Sequence, residues 1–83
     1  MNQKIADRIK AILARELNFD INKITFESSL IGDLGADSLD IAEISLIVKD
    51  EFQYEMTDVE MQQIRTVGDL CGLLNQATAK GSS

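Results

Sequence analysis

The sequence predicts an all-α fold: a small four-helix bundle with three longer helices, one short third helix and a long loop between helices 1 and 2. Apolar residues recur at intervals of three and four in separate segments, which is the spacing of a helix face. Residues that favour helix starts precede several of these segments. Because 83 residues allow one small core, we expect a single domain over residues 1–78 and a disordered tail, 79–83.

The first helix is predicted over residues 3–17. Its apolar residues form one stripe, with charged residues between them: Ile5, Ile9, Ile12, Leu13 and Leu17. Asn18 breaks the pattern.

Residues 18–37 show no sustained period and are rich in loop-favouring residues. A loop of about twenty residues in a small domain is usually functional or packed by its own side chains. We expect six apolar residues to anchor it: Ile21, Ile24, Phe26, Leu30, Ile31 and Leu34. Phe26 is expected to be a core plug rather than a ligand-stacking residue.

The second helix is predicted from Ser38 to Phe52 or Gln53, and its apolar residues form two lines. One line is the expected core face: Ile41, Ile44, Val48 and Phe52. The other lies on nearly the opposite side and begins beside Ser38: Leu39, Ala42 and Leu46. Acidic residues edge this second line, so the helix presents to water an apolar strip bordered mainly by negative charge.

Thr57 and Glu60 have the spacing of a capping box, which predicts a short third helix over residues 57–63. A similar start at Thr66 predicts the fourth helix, with an apolar face of Val67, Leu70, Cys71 and Leu74. Cys71 is therefore expected to be buried and structural.

Composition excludes several functions. A net charge of −6 disfavours nucleic acid and anionic membranes and favours partners with basic surfaces. One cysteine allows no internal disulfide, and neither an export signal nor a membrane span is visible, so we expect a reducing, cytoplasmic location. An EF-hand counted from Asp33 fails, because its sixth and twelfth positions are Ser38 and Ile44.

The segment Gly35-Ala36-Asp37-Ser38-Leu39-Asp40 is a glycine-led turn that brings one serine to the start of the second helix. Asp37 and Ser38 both suit a helix cap, so the segment by itself is explained by capping. The chain has no histidine, and hence no base of near-neutral pKa to activate Ser38. We therefore do not expect Ser38 to act as an autonomous catalytic serine.

These residues, followed by Glu43 and then Asp50-Glu51-Phe52 in an acidic four-helix chain, closely resemble the acyl carrier proteins. The resemblance extends over nearly the whole chain. It implies that Ser38 carries 4′-phosphopantetheine, transferred from coenzyme A by a separate carrier-protein synthase. It also implies that Asp37 helps to hold magnesium in the synthase complex. The chain itself would then be a carrier with no catalytic residues, no enzymatic activity and no metal site of its own.

The resemblance further implies that acyl groups travel as thioesters on this arm and are sheltered inside the helical core. Eight residues are candidates for that lining: Phe26, Ile44, Val48, Phe52, Met56, Met61, Ile64 and Leu70. The chain would be a monomer that visits acyl-transferring and chain-elongating enzymes with basic docking patches. Its docking surface would combine acidic and apolar residues of the second helix: Leu39, Asp40, Ala42, Glu43, Leu46, Asp50 and Glu51.

Three features depart from the common family pattern. Lys49 interrupts an acidic run, and Met56-Thr57 replaces an apolar residue followed by proline. Ser45 places a hydroxyl near the core face, where we expect it to bond to the carbonyl of Ile41. The pathway therefore stays open between fatty acid synthesis and a specialised lipid, lipoic acid or polyketide route. An aminoacyl carrier and an unmodified helical adaptor are the alternatives.

Overall fold

The order of elements follows the predicted one. The computed structural model describes the backbone of residues 3–81 and the side chains of residues 4–77. It contains α1 (Gln3–Leu17), a 3₁₀ helix (Ile21–Lys23), α2 (Ser38–Phe52), α3 (Asp58–Gln63) and α4 (Val67–Gly81). The predicted all-α class, with three longer helices and one short third helix, is confirmed.

The bounds of the helices agree with the sequence pattern except at the end of α4. Asn18 adopts a positive φ of 52° directly after α1, which explains why the helix stops there. Thr57 and Glu60 form the predicted capping box at the start of α3. Helix α4 continues to Gly81, so residues 79–81, which were predicted as part of a disordered tail, are helical. Residues 82–83 lie outside the described part of the chain.

The core forms where α1 packs against α2 and α4. Four of the five predicted stripe residues of α1 are buried, and Leu17 is partly buried. The predicted inner face of α4 is completely inaccessible to solvent, each side chain being 0 % exposed: Val67, Leu70, Cys71 and Leu74. Burying one such side chain stabilises a fold by about 1.5–3 kcal/mol, so this face is a main source of stability.

Cys71 is buried, as predicted. Burial raises the pKa of its thiol to about 11, because the apolar surroundings disfavour the thiolate. The thiol therefore stays protonated at neutral pH, which makes it a core residue and a poor nucleophile.

The long loop is held by backbone hydrogen bonds to the connection between α3 and α4. Ser29 and Thr66 form an isolated antiparallel bridge, which is the only strand-like feature within residues 3–81. Three N–H···O bonds of 2.8 to 3.0 Å join the two segments, running from Leu30 to Arg65, from Val67 to Ser28 and from Gly68 to Phe26. The loop is therefore a docked part of the fold.

The side chains of the loop differ from the prediction at three positions. Ile24, Leu30 and Leu34 are buried anchors, but Ile21, Phe26 and Ile31 are exposed. Phe26 is 41 % exposed, so its prediction as a core plug is wrong. Its carbonyl, rather than its ring, docks against α4, while the ammonium of Lys10 lies 4.7 Å from the ring centroid in a cation–π contact.

The start of α4 is held by one carboxylate. Asp69 accepts hydrogen bonds from the backbone N–H groups of Arg65 and Thr66, at 3.1 and 3.2 Å. In return, the backbone N–H of Asp69 donates to the hydroxyl of Thr66. These donors, that of Arg65 first, lower the pKa of Asp69 below its usual range, because they stabilise the ionised carboxylate.

A substitution at Gly68 tests how closely the loop approaches α4. A Cβ atom at this position would lie 3.0 Å from the carbonyl oxygen of Phe26, whose position the Gly68 N–H fixes. We expect Gly68→Ala to lower the free energy of unfolding by about 1 kcal/mol, since the crowding outweighs the gain in helix propensity.

Gly72 is the matched control, because a Cβ atom there meets nothing within 4 Å. Gly72→Ala should therefore raise the free energy of unfolding by about 0.5–1 kcal/mol. Urea denaturation of both variants measures the contrast, and equal effects in the two variants would contradict the steric explanation.

Asp69 should contribute to acid unfolding. Because its pKa is lower in the folded chain than its ordinary 3.8, its stabilising effect is complete above that value. The effect is lost as the pH falls through the lower folded pKa. In urea denaturation at a series of pH values, Asp69→Asn should lose stability less steeply below pH 3.8 than the parent chain. Parallel curves would show that Asp69 makes no such contribution.

Candidate functional site

A tight turn brings Asp37 and Ser38 to the surface. Gly35 has a φ of 77°, in the left-handed region that favours glycine. The turn is closed by hydrogen bonds from Gly35 N–H to the carbonyl of Ile31 and from Ala36 N–H to that of Leu30. Ala36 is buried beneath it, whereas the next two residues are exposed. The turn thus fixes where α2 begins.

Asp37, and not Ser38, caps α2. The carboxylate of Asp37 accepts from the Asp40 N–H at 2.9 Å, and the carboxylate of Asp40 accepts from the Asp37 N–H at 3.1 Å. This is a reciprocal capping box made by two aspartates. Of the two residues whose types suit a cap, only Asp37 is one, because Ser38 is already the first residue of the helix. An aspartate directly before the helix and a second one at its third position are a signal that the sequence analysis did not use.

The hydroxyl of Ser38 has no partner. It is exposed, and it makes no hydrogen bond to any side chain or backbone group that the structure describes. The backbone N–H groups of the first turn and the helix dipole make this end of α2 favourable for a phosphate group. The site therefore fits a phosphodiester on the serine oxygen. Among the described residues, no cluster of three or more metal-ligating side chains is present.

Helix α2 presents the two apolar lines predicted for it. Ile44 and Val48 are buried, and Ile41 and Phe52 are partly buried against the core. On the other side, Leu39 is 70 % exposed and Leu46 is 66 % exposed. Ala42, Glu43 and Asp50 are exposed as well.

Three polar residues of α2 have contacts that the sequence did not predict. Glu51 pairs with Arg8 of α1, so its carboxylate is directed to the bundle as well as to solvent. Lys49 lies 3.7 Å from the carboxylate of Glu55, beyond the end of the helix. Ser45 donates to the carbonyl of Ala42 at 2.7 Å, which corrects the predicted bond to Ile41. Asp40 is half-buried, and its carboxylate accepts the Asp37 N–H in the cap.

An open cleft of about 680 Å³ adjoins Ser38. The loop supplies Leu30 and Ile31, α2 supplies Ile41 and Ala42, and the other wall is formed by α3 and the residues that follow it. Most of the surface that lines the cleft is apolar, and four polar residues besides Ser38 also line it: Ser29, Asp58, Gln62 and Arg65.

The residues predicted to line an acyl-sheltering interior lie mostly away from this open cleft. Of the eight candidates only Met61 and Ile64 line it. Four others are closed core residues: Ile44, Val48, Met56 and Leu70. Phe52 packs against the core, and Phe26 is exposed on the loop. Leu30 and Ile31 line the cleft, whereas the sequence predicted them only as anchors of the loop.

Comparison with known proteins supports one assignment. A family model described as the phosphopantetheine attachment site matches residues 7–74. An acyl carrier protein of Clostridium acetobutylicum is 40 % identical over 74 residues, which cover 89 % of this chain and 96 % of that protein.

A solved structure of a candidate acyl carrier protein from Mycobacterium tuberculosis matches with a TM-score of 0.74. It is 35 % identical, and the match covers 80 % of this chain and 88 % of that one. No helix in the described part of the chain is both long enough and apolar enough to cross a membrane. With its family model, its relative and its structural neighbour in agreement, the chain belongs to the acyl carrier proteins, which are carriers rather than catalysts and use 4′-phosphopantetheine as their prosthetic group.

Proposed function

We propose that Ser38 is the residue to which 4′-phosphopantetheine is attached. The observation that carries this proposal is the exposed Ser38 hydroxyl at the first position of α2, free of internal hydrogen bonds. A capped helix start holds the oxygen at the surface, where a large enzyme can reach it. The positive end of the helix then stabilises the phosphodiester that forms.

A carrier-protein synthase must supply the chemistry of attachment. The chain has no histidine to act as a base, so the synthase removes the hydroxyl proton. The serine oxygen attacks the phosphorus that bears the pantetheine of coenzyme A, the pyrophosphate bond breaks, and adenosine 3′,5′-bisphosphate leaves. Asp37 is exposed beside it, and only one of its carboxylate oxygens is used in the cap. The second oxygen is available to the magnesium ion in the synthase complex.

The arm then gives the chain its working thiol, on which acyl groups are held as thioesters. The cleft beside Ser38 supports a place for the acyl chain, because its inner wall is apolar and it opens next to the attachment residue. The closed core of Ile44, Val48 and Leu70 would have to part before a chain could enter more deeply. The cleft is thus the first shelter for the cargo.

The exposed side of α2 is proposed as the docking surface. Leu39, Ala42 and Leu46 offer apolar contact, while Asp40, Glu43 and Asp50 offer negative charge to basic patches on acyl-transferring and chain-elongating enzymes. Glu51 has a smaller part, since it already pairs with Arg8. Charge pairs at such a rim speed encounter without fixing the complex, which suits repeated docking and release.

We propose that the chain serves the fatty acid pathway and acts as a cytoplasmic monomer. The net charge of −6 opposes contact with nucleic acid or anionic membranes.

Replacement of Ser38 tests the attachment site. Intact mass is measured before and after incubation with coenzyme A, magnesium and a broad-specificity carrier-protein synthase. The parent chain should gain one phosphopantetheine and Ser38→Ala none. Ser45→Ala is the matched control, because this serine lies on the same helix but is bonded to the Ala42 carbonyl. It should be modified normally. Modification of Ser38→Ala would overturn the assignment, and an unmodified parent chain would favour the helical adaptor.

Reversal of one charge tests the docking surface. Glu43→Lys should slow loading by the synthase roughly fivefold at low ionic strength, with the difference shrinking as salt is added. Glu27→Lys is the control, since it makes the same change in net charge at an exposed position of the long loop. Equal rates for the two variants at low salt would refute a specific role for Glu43.

A further inference from the structure

Tyr54 connects the end of α2 to the start of α3. It lies in the short segment between these helices, and its ring packs against the core. The Tyr54 hydroxyl donates a hydrogen bond of 2.6 Å to one carboxylate oxygen of Glu60, the third residue of α3. A residue of the connection between α2 and α3 is thus hydrogen-bonded to α3 itself.

The same carboxylate also belongs to the capping box of α3. Its other oxygen accepts from the backbone N–H of Thr57 at 3.0 Å, and the Glu60 N–H donates to the Thr57 hydroxyl at 3.1 Å. The donors of Thr57 and Tyr54 lower the pKa of Glu60, while the carboxylate raises the pKa of Tyr54. At neutral pH the pair therefore consists of a neutral phenol and a carboxylate, the stronger kind of hydrogen bond.

Helix α3 has few other attachments. It comprises six residues, none of which is buried, and only Met61 and the following Ile64 pack against the core. The residues before it are better anchored, because Met56 is 5 % exposed. The hydrogen bond from Tyr54 therefore links α3, which is weakly held, to a residue that packs against the core.

That weakly held helix forms one wall of the cleft. Asp58, Met61 and Gln62 of α3 line the same cleft as Ser38, Ile41 and Ala42 of α2. A small rotation or displacement of α3 would change the width of the cleft, whereas α2 is fixed by its buried face.

We propose that the Tyr54–Glu60 hydrogen bond is a latch that holds α3 in place and so limits the opening of the cleft beside Ser38 to apolar cargo. Tyr54 is a positioning residue, acting through Glu60 and not through contact with the cargo. The statement about cargo rests on the function proposed above, but the statement about α3 does not.

Hydrogen exchange of the bare chain tests the latch. The amides of Met61 and Ile64, which donate to the carbonyls of Thr57 and Glu60, report on α3. Tyr54→Phe keeps the ring and removes the hydroxyl. We expect exchange at these two amides to accelerate about tenfold, with α1 and α4 unchanged. Unchanged protection of α3 would overturn the proposal.

A double-variant comparison isolates the contact. Glu60→Ala removes the carboxylate and with it part of the cap, so it should accelerate exchange in α3 by itself. Adding Tyr54→Phe to Glu60→Ala should change nothing more, because the hydroxyl then has no acceptor. A further acceleration of equal size would show that the Tyr54 hydroxyl acts by another route, and would overturn the latch.

Access to the cleft is measured on the chain loaded with an eight-carbon acyl thioester. Hydroxylamine should cleave the thioester a few times faster in Tyr54→Phe than in the parent chain, because a more open cleft shelters it less. Equal rates would overturn the part of the proposal that concerns cargo. Failure of the synthase to load the chain would count against the proposed function alone, since hydrogen exchange on the bare chain decides the role of Tyr54 at α3.

Discussion

The structure depends on the backbone pairing between the long loop and the first residues of α4. Ordering one residue costs about 1–2 kcal/mol of backbone entropy, so a loop of this length needs partners for its polar groups. The Leu30 N–H bonds to the carbonyl of Arg65, and the carbonyl of Leu30 then accepts from the Ala36 N–H. That second bond closes the turn at Gly35, which places the start of α2. The position of Ser38 thus follows from contacts made about thirty residues further along the chain.

Helix α2 meets three demands at once, which explains why its apolar residues do not form a single stripe. Its inner face, centred on Ile44 and Val48, joins the core. Its outer face leaves Leu39 and Leu46 in water, at a cost that a purely structural helix would avoid. Its N-terminus is capped by Asp37 and Asp40, so the Ser38 hydroxyl is not needed as a cap. A helix that serves only the core would need the buried inner face alone.

Local features were predictable from the sequence, and long-range ones were not. The bounds of α1 and α2 follow from apolar spacing and capping residues, which act within a few positions. The exposure of Phe26 was not predictable, because it depends on which part of the loop pairs with Gly68. The same holds for Glu51, whose partner Arg8 is 43 residues away. The motif predicts Ser38 as the attachment residue, but the walls of the cleft beside it arise from three segments that only the fold brings together.

Stability is distributed unevenly around the cleft, and the distribution suits a carrier. The wall that bears Ser38 is the start of α2, which the Asp37–Asp40 capping box closes and which also carries the proposed docking surface. It is held by the buried faces of α1, α2 and α4. The facing wall is α3, with six residues and none buried, so its free energy of opening is lower than that of the core. If cargo occupies the cleft as proposed, its entry displaces the helix that is least costly to move, while the start of α2 keeps its geometry.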